Sequence, residues 1–481
     1  MCDFRKFLAE LESTDHVVKI KKPVDIKYEL AAIQWRIEKD LCKVVFFENV
    51  KGYDVKVAGN LYLIPLRMGI TPTIPMIEEM LSIYRSMKKP GILYPLWATN
   101  DMIIQMYKEI EELVVKGLKN PSKPKLRDDT PLTTTIKKDK INVLKVLPIP
   151  KYFKEDGGHY ITTGVTIAKD PDSDFVNAGV YRIEVIDKDK LAMMVNVKRD
   201  LRSLLAKARR KNQRLEVAVA IGVRPEILIA SAMSVPYGTG EFDVAGGIAE
   251  HPVDLTSGQT IQLSIPSDSE IVIEGFIDPQ KEVSEGPFTE YDLLASRKTK
   301  GFLINVTAIR FRDDPIYHSL VCTSMEMVSL ILPLGVTEMM NAKKFLREVT
   351  PNIKDVWMLP GVPGVGMAIS IDKEHVGEPQ EIIHALFAYS ARLKRVIVVD
   401  DDIDIYDPFE VQWAIDTRVC YRRDVIILEA TGEITDAARV GEYSVKMGID
   451  ATKKKEHPSK FERSDISQFE NVNLNEILKY I

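Results

Sequence analysis

The sequence predicts an α/β plus β fold: an N-terminal α/β unit, a central β-rich barrel and a C-terminal α/β domain. Three observations lead there. At 481 residues the chain exceeds the size at which a single hydrophobic core stops growing. Between Leu132 and Phe311, short β-rich runs follow one another with few helical stretches, the pattern of a closed or split barrel. From Tyr317 onward, helical stretches alternate with apolar runs, as in β-α-β units. A hydrophobic fraction of 45% and a charged fraction of 28% fit a globular chain and exclude a disordered or fibrous one.

Taken in order, residues 4–12 read as a helix, His16 to Ile20 as a strand ending before Pro23, and Ile26 to Lys39 as a second helix by its apolar spacing. Val44 to Phe47 and Val55 to Ala58 read as strands, with Lys51-Gly52 able to turn a hairpin between them. Helices are expected at Met76–Met87 and Met102–Lys116, before a polar, proline-bearing linker at Lys119–Pro131. The central strands are Tyr160–Ile167, Val176–Ile186, Leu191–Val197, Leu215–Ile221, Ile261–Leu263, Glu270–Phe276 and Phe302–Arg310, with helices at Leu201–Lys211 and Pro225–Met233. In the last third, helices at Met325–Leu332, Glu338–Val349 and Pro379–Lys394 alternate with strands at Val365–Ile371, Arg395–Asp400 and Val425–Leu428. The expected divisions are 1–118, 119–315, 316–452 and a tail, 453–481, whose Ile466–Ile481 regains amphipathic spacing suited to docking on a partner subunit. No internal repeat is visible.

Composition narrows the function. A net charge of −5 gives no footprint for a polyanion, so no nucleic-acid partner is expected. The four cysteines, Cys2, Cys42, Cys322 and Cys420, are scattered without C-x-x-C spacing, which argues against a disulfide framework or thiolate zinc site and suits a reducing cytosol. The N-terminus lacks the apolar core of a signal peptide, and the most apolar run, Leu320–Val336, is interrupted by Glu326. A cytoplasmic protein with no membrane partner is expected.

The stretch with the most chemical promise is Glu285-Gly-Pro-Phe-Thr-Glu290. Residues five apart on a regular strand face opposite sides, but Gly286 and Pro287 break the strand and can turn both carboxylates into one cavity. A pair of glutamates in a turn is more often a solvated acidic loop. In Val176-Asn-Ala-Gly-Val-Tyr-Arg182, Asn177 and Arg182 share a face only if Gly179 marks a kink, and an arginine among β-branched neighbours is more often half of a structural ion pair. In Ser231-Ala-Met-Ser-Val-Pro-Tyr-Gly-Thr-Gly-Glu241, Gly238 and Gly240 allow a close backbone approach to a phosphate or ring, but the run is only a weak nucleotide fingerprint. The glycines of 360–366 read as a plain loop. None of the seven histidines has metal-ligand spacing, and neither a G-x-S-x-G nor a Walker loop occurs. Elimination leaves Arg182, Glu285 and Glu290, with Asn177 and Glu241.

In order and spacing, N-A-G-V-Y-R (177–182), S-A-M-S-V-P-Y-G-T-G-E (231–241) and E-G-P-F-T-E (285–290) resemble the UbiD family of prenylated-FMN-dependent (de)carboxylases. The resemblance continues through D-D-P-I-Y-H-S (313–319), V-I-V-V-D-D-D-I-D (396–404), W-A-I-D-T-R (413–418) and K-M-G-I-D-A-T (446–452), and so covers most of the chain. It implies a central split barrel, flavin-reductase-like, that binds prenylated FMN, and a C-terminal domain used for oligomerisation as a dimer or trimer of dimers. It further implies that Glu285, Arg182 and Glu290 form a catalytic trio: Glu290 protonates carbon after CO2 leaves, Arg182 orients that carboxyl and the substrate's own, and Glu285 holds Arg182. Asn177, Lys198, Ser231, Met233, Glu241 and Lys446 fall at cofactor positions. Asn177 and Glu241 match ligands of a divalent, manganese-like metal, and potassium is also possible. At the family's histidine ligand position stands Lys198, which as a cation cannot coordinate metal but can itself neutralise phosphate.

The resemblance thus implies a reversible carboxy-lyase for an aromatic or α,β-unsaturated acid, including an aryl acid or aryl thioester, with CO2 as co-substrate or product and a flavin prenyltransferase as cofactor supplier. Met325, Met327 and Leu330 are candidates for the substrate pocket by position and apolarity. Two alternatives stand beside it: a non-catalytic scaffold subunit of a multi-subunit carboxylase, and a flavin reductase using ordinary FMN.

Overall fold

A computed structural model describes residues 3–13, 15–62, 100–137, 140–197, 199–359, 361–362, 364–433, 435–454, 461 and 463–464. The expected helix at 76–87, the amphipathic tail at 466–481 and Lys198 lie outside these residues.

The N-terminal helix, Phe4–Ser13, buries Phe4, Phe7, Leu8 and Leu11, one stripe at helical spacing. Strand Val17–Ile20 runs parallel to Val44–Phe47, which forms a hairpin with Lys56–Gly59 across a turn where Gly52 takes φ 84°. Ile316–Ser319 completes this four-stranded sheet by pairing parallel to Lys56–Gly59. The strand that leaves the barrel therefore closes the sheet the chain began with.

The central sheet has nine strands and curls into a half-barrel. Its path runs His159–Ile161, Ile183–Asp187, Lys190–Met193, Thr299–Phe311, Ile271–Glu285, Leu215–Ile221, Val165–Lys169 and Val176–Val180, with Thr134–Lys137 pairing off the path. Ile271–Glu285 and Thr299–Phe311 form the long antiparallel ribbon, whose register shifts between Ile277 and Glu282 and so passes Pro279. The run expected as one strand at Val176–Ile186 is broken at Tyr181-Arg182, where the chain changes neighbours. Ile261–Leu263 is not a strand: the Leu263 carbonyl accepts from Gly258 N–H in a turn, and pairing starts only at Ser264.

The C-terminal sheet has the order Ile353–Met358, Gly366–Ile371, Arg395–Asp400, Tyr443–Asp450, Val425–Thr431, with the middle pairs parallel. Two helices expected around Pro333 are one, Met325–Val349, capped by the Ser324 hydroxyl accepting from Met327 N–H at 3.3 Å. Thr337 Oγ1 donates to the Pro333 carbonyl at 2.9 Å inside it. A helix that the sequence did not announce, Glu241–Ala249, packs Gly246 and Gly247 against the chain at Asn120–Ser122, an approach closed to any larger side chain. No helix among the described residues is long and apolar enough to cross a membrane.

Candidate active site

Strand Ile271–Glu285 ends on Glu285, fully buried, and Gly286 at φ 93° turns the chain away. Two carboxylates fix the turn. Gly286 N–H donates to Glu184 Oε2 at 2.9 Å, and Thr289 N–H donates to Asp156 Oδ1 at 2.8 Å. Glu290 is thereby carried back to the same place as Glu285.

Arg182 is the link. Its Nε and one terminal nitrogen donate to the two oxygens of Glu285 at 2.9 and 2.7 Å, and the other terminal nitrogen donates to Glu290 Oε1. Glu285 also accepts from the Tyr160 hydroxyl at 3.2 Å and from Thr299 Oγ1 at 3.1 Å, so its oxygens are saturated. The Phe288 ring lies against the guanidinium, 5.1 Å from centroid to Cζ, and packs on Tyr160. Burial would lower the Arg182 pKa, but Glu290 and Glu285 outweigh it and raise it, so the guanidinium stays charged. For Glu290 the balance tips the other way: burial, aided by Asp292, Glu285 and Glu433, overcomes Arg182 and pushes its carboxyl up to about 7.

Glu290 and Arg182 border a cavity of about 450 Å³ between the half-barrel and the C-terminal domain. Its apolar wall includes Met327, Leu330 and Ile331, as expected for two of the three candidates; Met325 is buried but does not line it. Thr162 contributes from the barrel, Cys322 from the segment between strand Ile316–Ser319 and helix Met325–Val349, and Glu338, Arg392 and Glu433 also line it.

A second polar cluster lies behind the barrel wall. Glu241, the first residue of its helix, is buried and accepts from Asn177 Nδ2 and Ala178 N–H, both at 2.9 Å. Burial pushes its carboxyl up to about 7. Asn177 Oδ1 and Ser231 Oγ are buried without a hydrogen-bond partner among the described residues, and Met233 closes the end of the helix carrying Ser231. Buried polar atoms without a protein partner are groups that a bound ligand could satisfy. Lys446 is not brought to this cluster: its ammonium donates to the Ser390 carbonyl at 2.8 Å, at the C-terminal end of helix Glu378–Tyr389. Among the described residues no group of three His, Cys, Asp or Glu could hold a metal ion.

Sequence reasoning missed Glu184, Asp156 and Tyr160, which fix the turn and Glu285, because nothing local marks residues 100 or more positions away as anchors of that turn. It also missed Arg392, Glu338 and Glu433, which reach the cavity from three separate elements.

Comparison with known proteins agrees with this architecture. The family model of the 3-octaprenyl-4-hydroxybenzoate carboxy-lyase N-terminal domain matches residues 8–70, that of its Rift-related domain 125–325, and that of its C-terminal domain 333–451. The chain is 32% identical over 371 residues to an anhydromevalonate phosphate decarboxylase from Methanothermobacter thermautotrophicus, covering 75% of this chain and 84% of the relative. An evolved dimeric form of the UbiD-class enzyme HmfF from Pelotomaculum thermopropionicum, solved with prFMN, superposes with TM-score 0.72 at 31% identity, covering 99% of this chain and 100% of its own. The closed form of vanillic acid decarboxylase from Sedimentibacter hydroxybenzoicus superposes with TM-score 0.81 at 27% identity, over 100% and 99% of the two chains. The match runs through all three regions of the fold, and on that ground the chain belongs to the UbiD family and is one of its decarboxylases.

Proposed function

We propose that this decarboxylase acts reversibly on an aromatic or α,β-unsaturated carboxylic acid with prenylated FMN, and that Glu285, Arg182 and Glu290 manage the proton. The observation that carries this is a buried arginine joining two glutamates, one saturated with hydrogen bonds, the other at the cavity wall with a pKa near neutrality. The similar proteins named for vanillic acid and for anhydromevalonate phosphate span aromatic and aliphatic acids, so the substrate class is kept broad.

The cofactor would be held by these residues: Asn177 Oδ1 and Ser231 Oγ offer unspent buried polar atoms, Glu241 lies beside Asn177, and Met233 is a buried apolar neighbour of Ser231 in sequence. Asn177 and Glu241 offer only two side-chain ligands, so a manganese-like ion would need phosphate and water oxygens besides; Lys198 would carry part of that positive charge. Elemental analysis showing one tightly held manganese per chain would remove this role from Lys198. When bound, prenylated FMN supplies the electron sink that an sp² carbon lacks when it loses CO2.

The chain's own residues do the rest. Arg182 spends three of its five N–H donors on the glutamates, leaving two for the substrate carboxylate. Glu285 keeps Arg182 in plane. Glu290, poised near neutral pH, holds a proton at its carboxyl and delivers it to the carbon that has lost CO2; in the carboxylation direction it takes one away. Leu330, Ile331 and Met327 exclude water from the reacting carbon.

The division at residues 118, 315 and 452 belongs to this reading; the nine-stranded sheet, within 134–311, and the five-stranded sheet, within 353–450, support it, while strand Ile316–Ser319 crosses the division at 315 to pair with the N-terminal sheet. A homo-oligomer belongs to it too: Ile427, Tyr443 and Val445 are exposed on one face of the outer C-terminal strands. A scaffold subunit would have no use for the buried trio, and a flavin reductase would oxidise a reduced nicotinamide in a simple absorbance assay. The test is to make the protein anaerobically with a flavin prenyltransferase, identify the released flavin by mass spectrometry and measure CO2 from a panel of aromatic and alkenoic acids. Stoichiometric prenylated FMN with CO2 release is expected; plain FMN with nicotinamide oxidation would overturn the reading.

A further inference from the structure

Arg392 lies in the loop between helix Glu378–Tyr389 and strand Arg395–Asp400, and it lines the same cavity as Glu290. Arg182 and Arg392, both at this cavity, are used very differently: Arg182 spends three donors on glutamates. Arg392 makes one well-formed side-chain hydrogen bond, from a terminal nitrogen to the Tyr291 hydroxyl at 3.1 Å. Its Nε is 3.2 Å from Glu433 Oε2 but out of line for a hydrogen bond, and is buried without a partner among the described residues. Its other terminal nitrogen is 3.9 Å from Glu338, beyond hydrogen-bond reach. Asn196, whose amide donates to Glu433 at 3.1 Å, leaves its Oδ1 buried and unpartnered as well.

This pole is built rather than incidental. Gly364, at φ 75°, passes so close that a Cβ there would lie 2.7 Å from Arg392 Cδ. Burying a guanidinium with most of its donors unmet is costly unless something else accepts them. The unmet N–H donors indicate what that is: an oxyanion rich in acceptors. Arg199 also lines the cavity and adds a second guanidinium to the pole that holds Glu338 and Glu433.

The geometry points to a substrate that carries a second anionic group, a carboxylate or a phosphate, which docks on Arg392 beside Tyr291 while the reacting carboxylate lies at Arg182. This rests on the decarboxylase reading for the placement of the reacting end. Bidentate contact would specify a planar or tetrahedral oxyanion and reject acids that end in hydrocarbon.

The test is calorimetric titration of flavin-loaded Glu290→Gln protein, which removes the proton donor and so separates binding from turnover. Two matched pairs serve as probes: benzoate against terephthalate, and a short ω-hydroxyalkenoate against its phosphate monoester. In at least one pair the dianion should bind about 10- to 100-fold more tightly, and adding Arg392→Met should reduce that ratio to below about threefold. Arg392→Lys should restore part of it. Glu433→Gln should strengthen dianion binding, because it removes the anion that competes for Arg392; a purely structural pair would weaken it. The proposal is overturned if neither dianion is preferred, if Arg392→Met weakens both members of a pair equally, or if it instead releases the flavin. The pair that shows the preference identifies the group. A dianion preference with no CO2 released from any acid by the wild-type holoenzyme would fault the assigned reaction and leave the anion subsite standing.

Discussion

Arg182 in the half-barrel and Arg418 under the C-terminal sheet are each buried between two carboxylates. Arg418, with its side chain fully buried, donates to Asp400 at 3.1 Å and to both oxygens of Asp402 at 3.0 and 2.7 Å, and Lys453 adds a second cation 2.9 Å from Asp402. Although burial works against it, Arg418 and Lys453 hold Asp402 below the usual carboxylate range. Around Arg182, among the described residues, no second cation is a hydrogen-bond partner of Glu285 or Glu290, and Glu290 rises to about 7. Two cations for two carboxylates give a structural cluster. Among the described residues, one cation serves two carboxylates beside a cavity, the arrangement on which the proposed proton transfer rests.

The comparison can be broken most forcefully at its arginines. Arg182→Ala should lower CO2 release by roughly 10³-fold and impair flavin maturation, since it removes both the charge that places Glu290 and the donors for substrate; turnover near wild type would make Arg182 structural. Arg418→Met should cost about 3–5 kcal/mol of stability, seen as a lowered Tm, with kcat per folded molecule little changed. A selective loss of kcat would mean the C-terminal cluster also serves chemistry.

Smaller effects sharpen the contrast. On the proposed mechanism decarboxylation uses protonated Glu290, so its rate should fall as pH rises through about 7, and carboxylation should show the opposite limb. Because Glu433 is among the groups that raise the Glu290 pKa, Glu433→Gln should move that limb to lower pH. Smallest of all, Tyr160→Phe removes one hydrogen bond to Glu285 and should cost about 1 kcal/mol, near fivefold in kcat/KM.

The sequence made the first cluster legible and half hid the second. Gly286-Pro287 announced that Glu285 and Glu290 could face one way, and strands Leu215–Ile221 and Arg395–Asp400 were readable to the residue from their apolar runs. The pairing of Arg182 with acids 103 and 108 positions away was implied only by resemblance, since no local pattern encodes it. Helix Glu241–Ala249 was missed because Gly246-Gly247 lowers helix propensity; close packing against 120–122 overrides that. The helix expected to end at Leu332 runs on through Pro333, itself buried, to Val349. The pairing of Asp400 and Asp402 with Arg418 and Lys453 is visible only in the tertiary structure.

Glu290 as the proton donor is the central claim, and it is tested most directly by running decarboxylation in D2O with flavin-loaded wild-type and Glu290→Gln protein. Wild type should release CO2 and place one deuterium on the carbon that held the carboxylate. The variant should keep its flavin and fold while product formation falls by roughly 10²- to 10⁴-fold. Deuterated product formed by the variant at close to the wild-type rate would contradict the account.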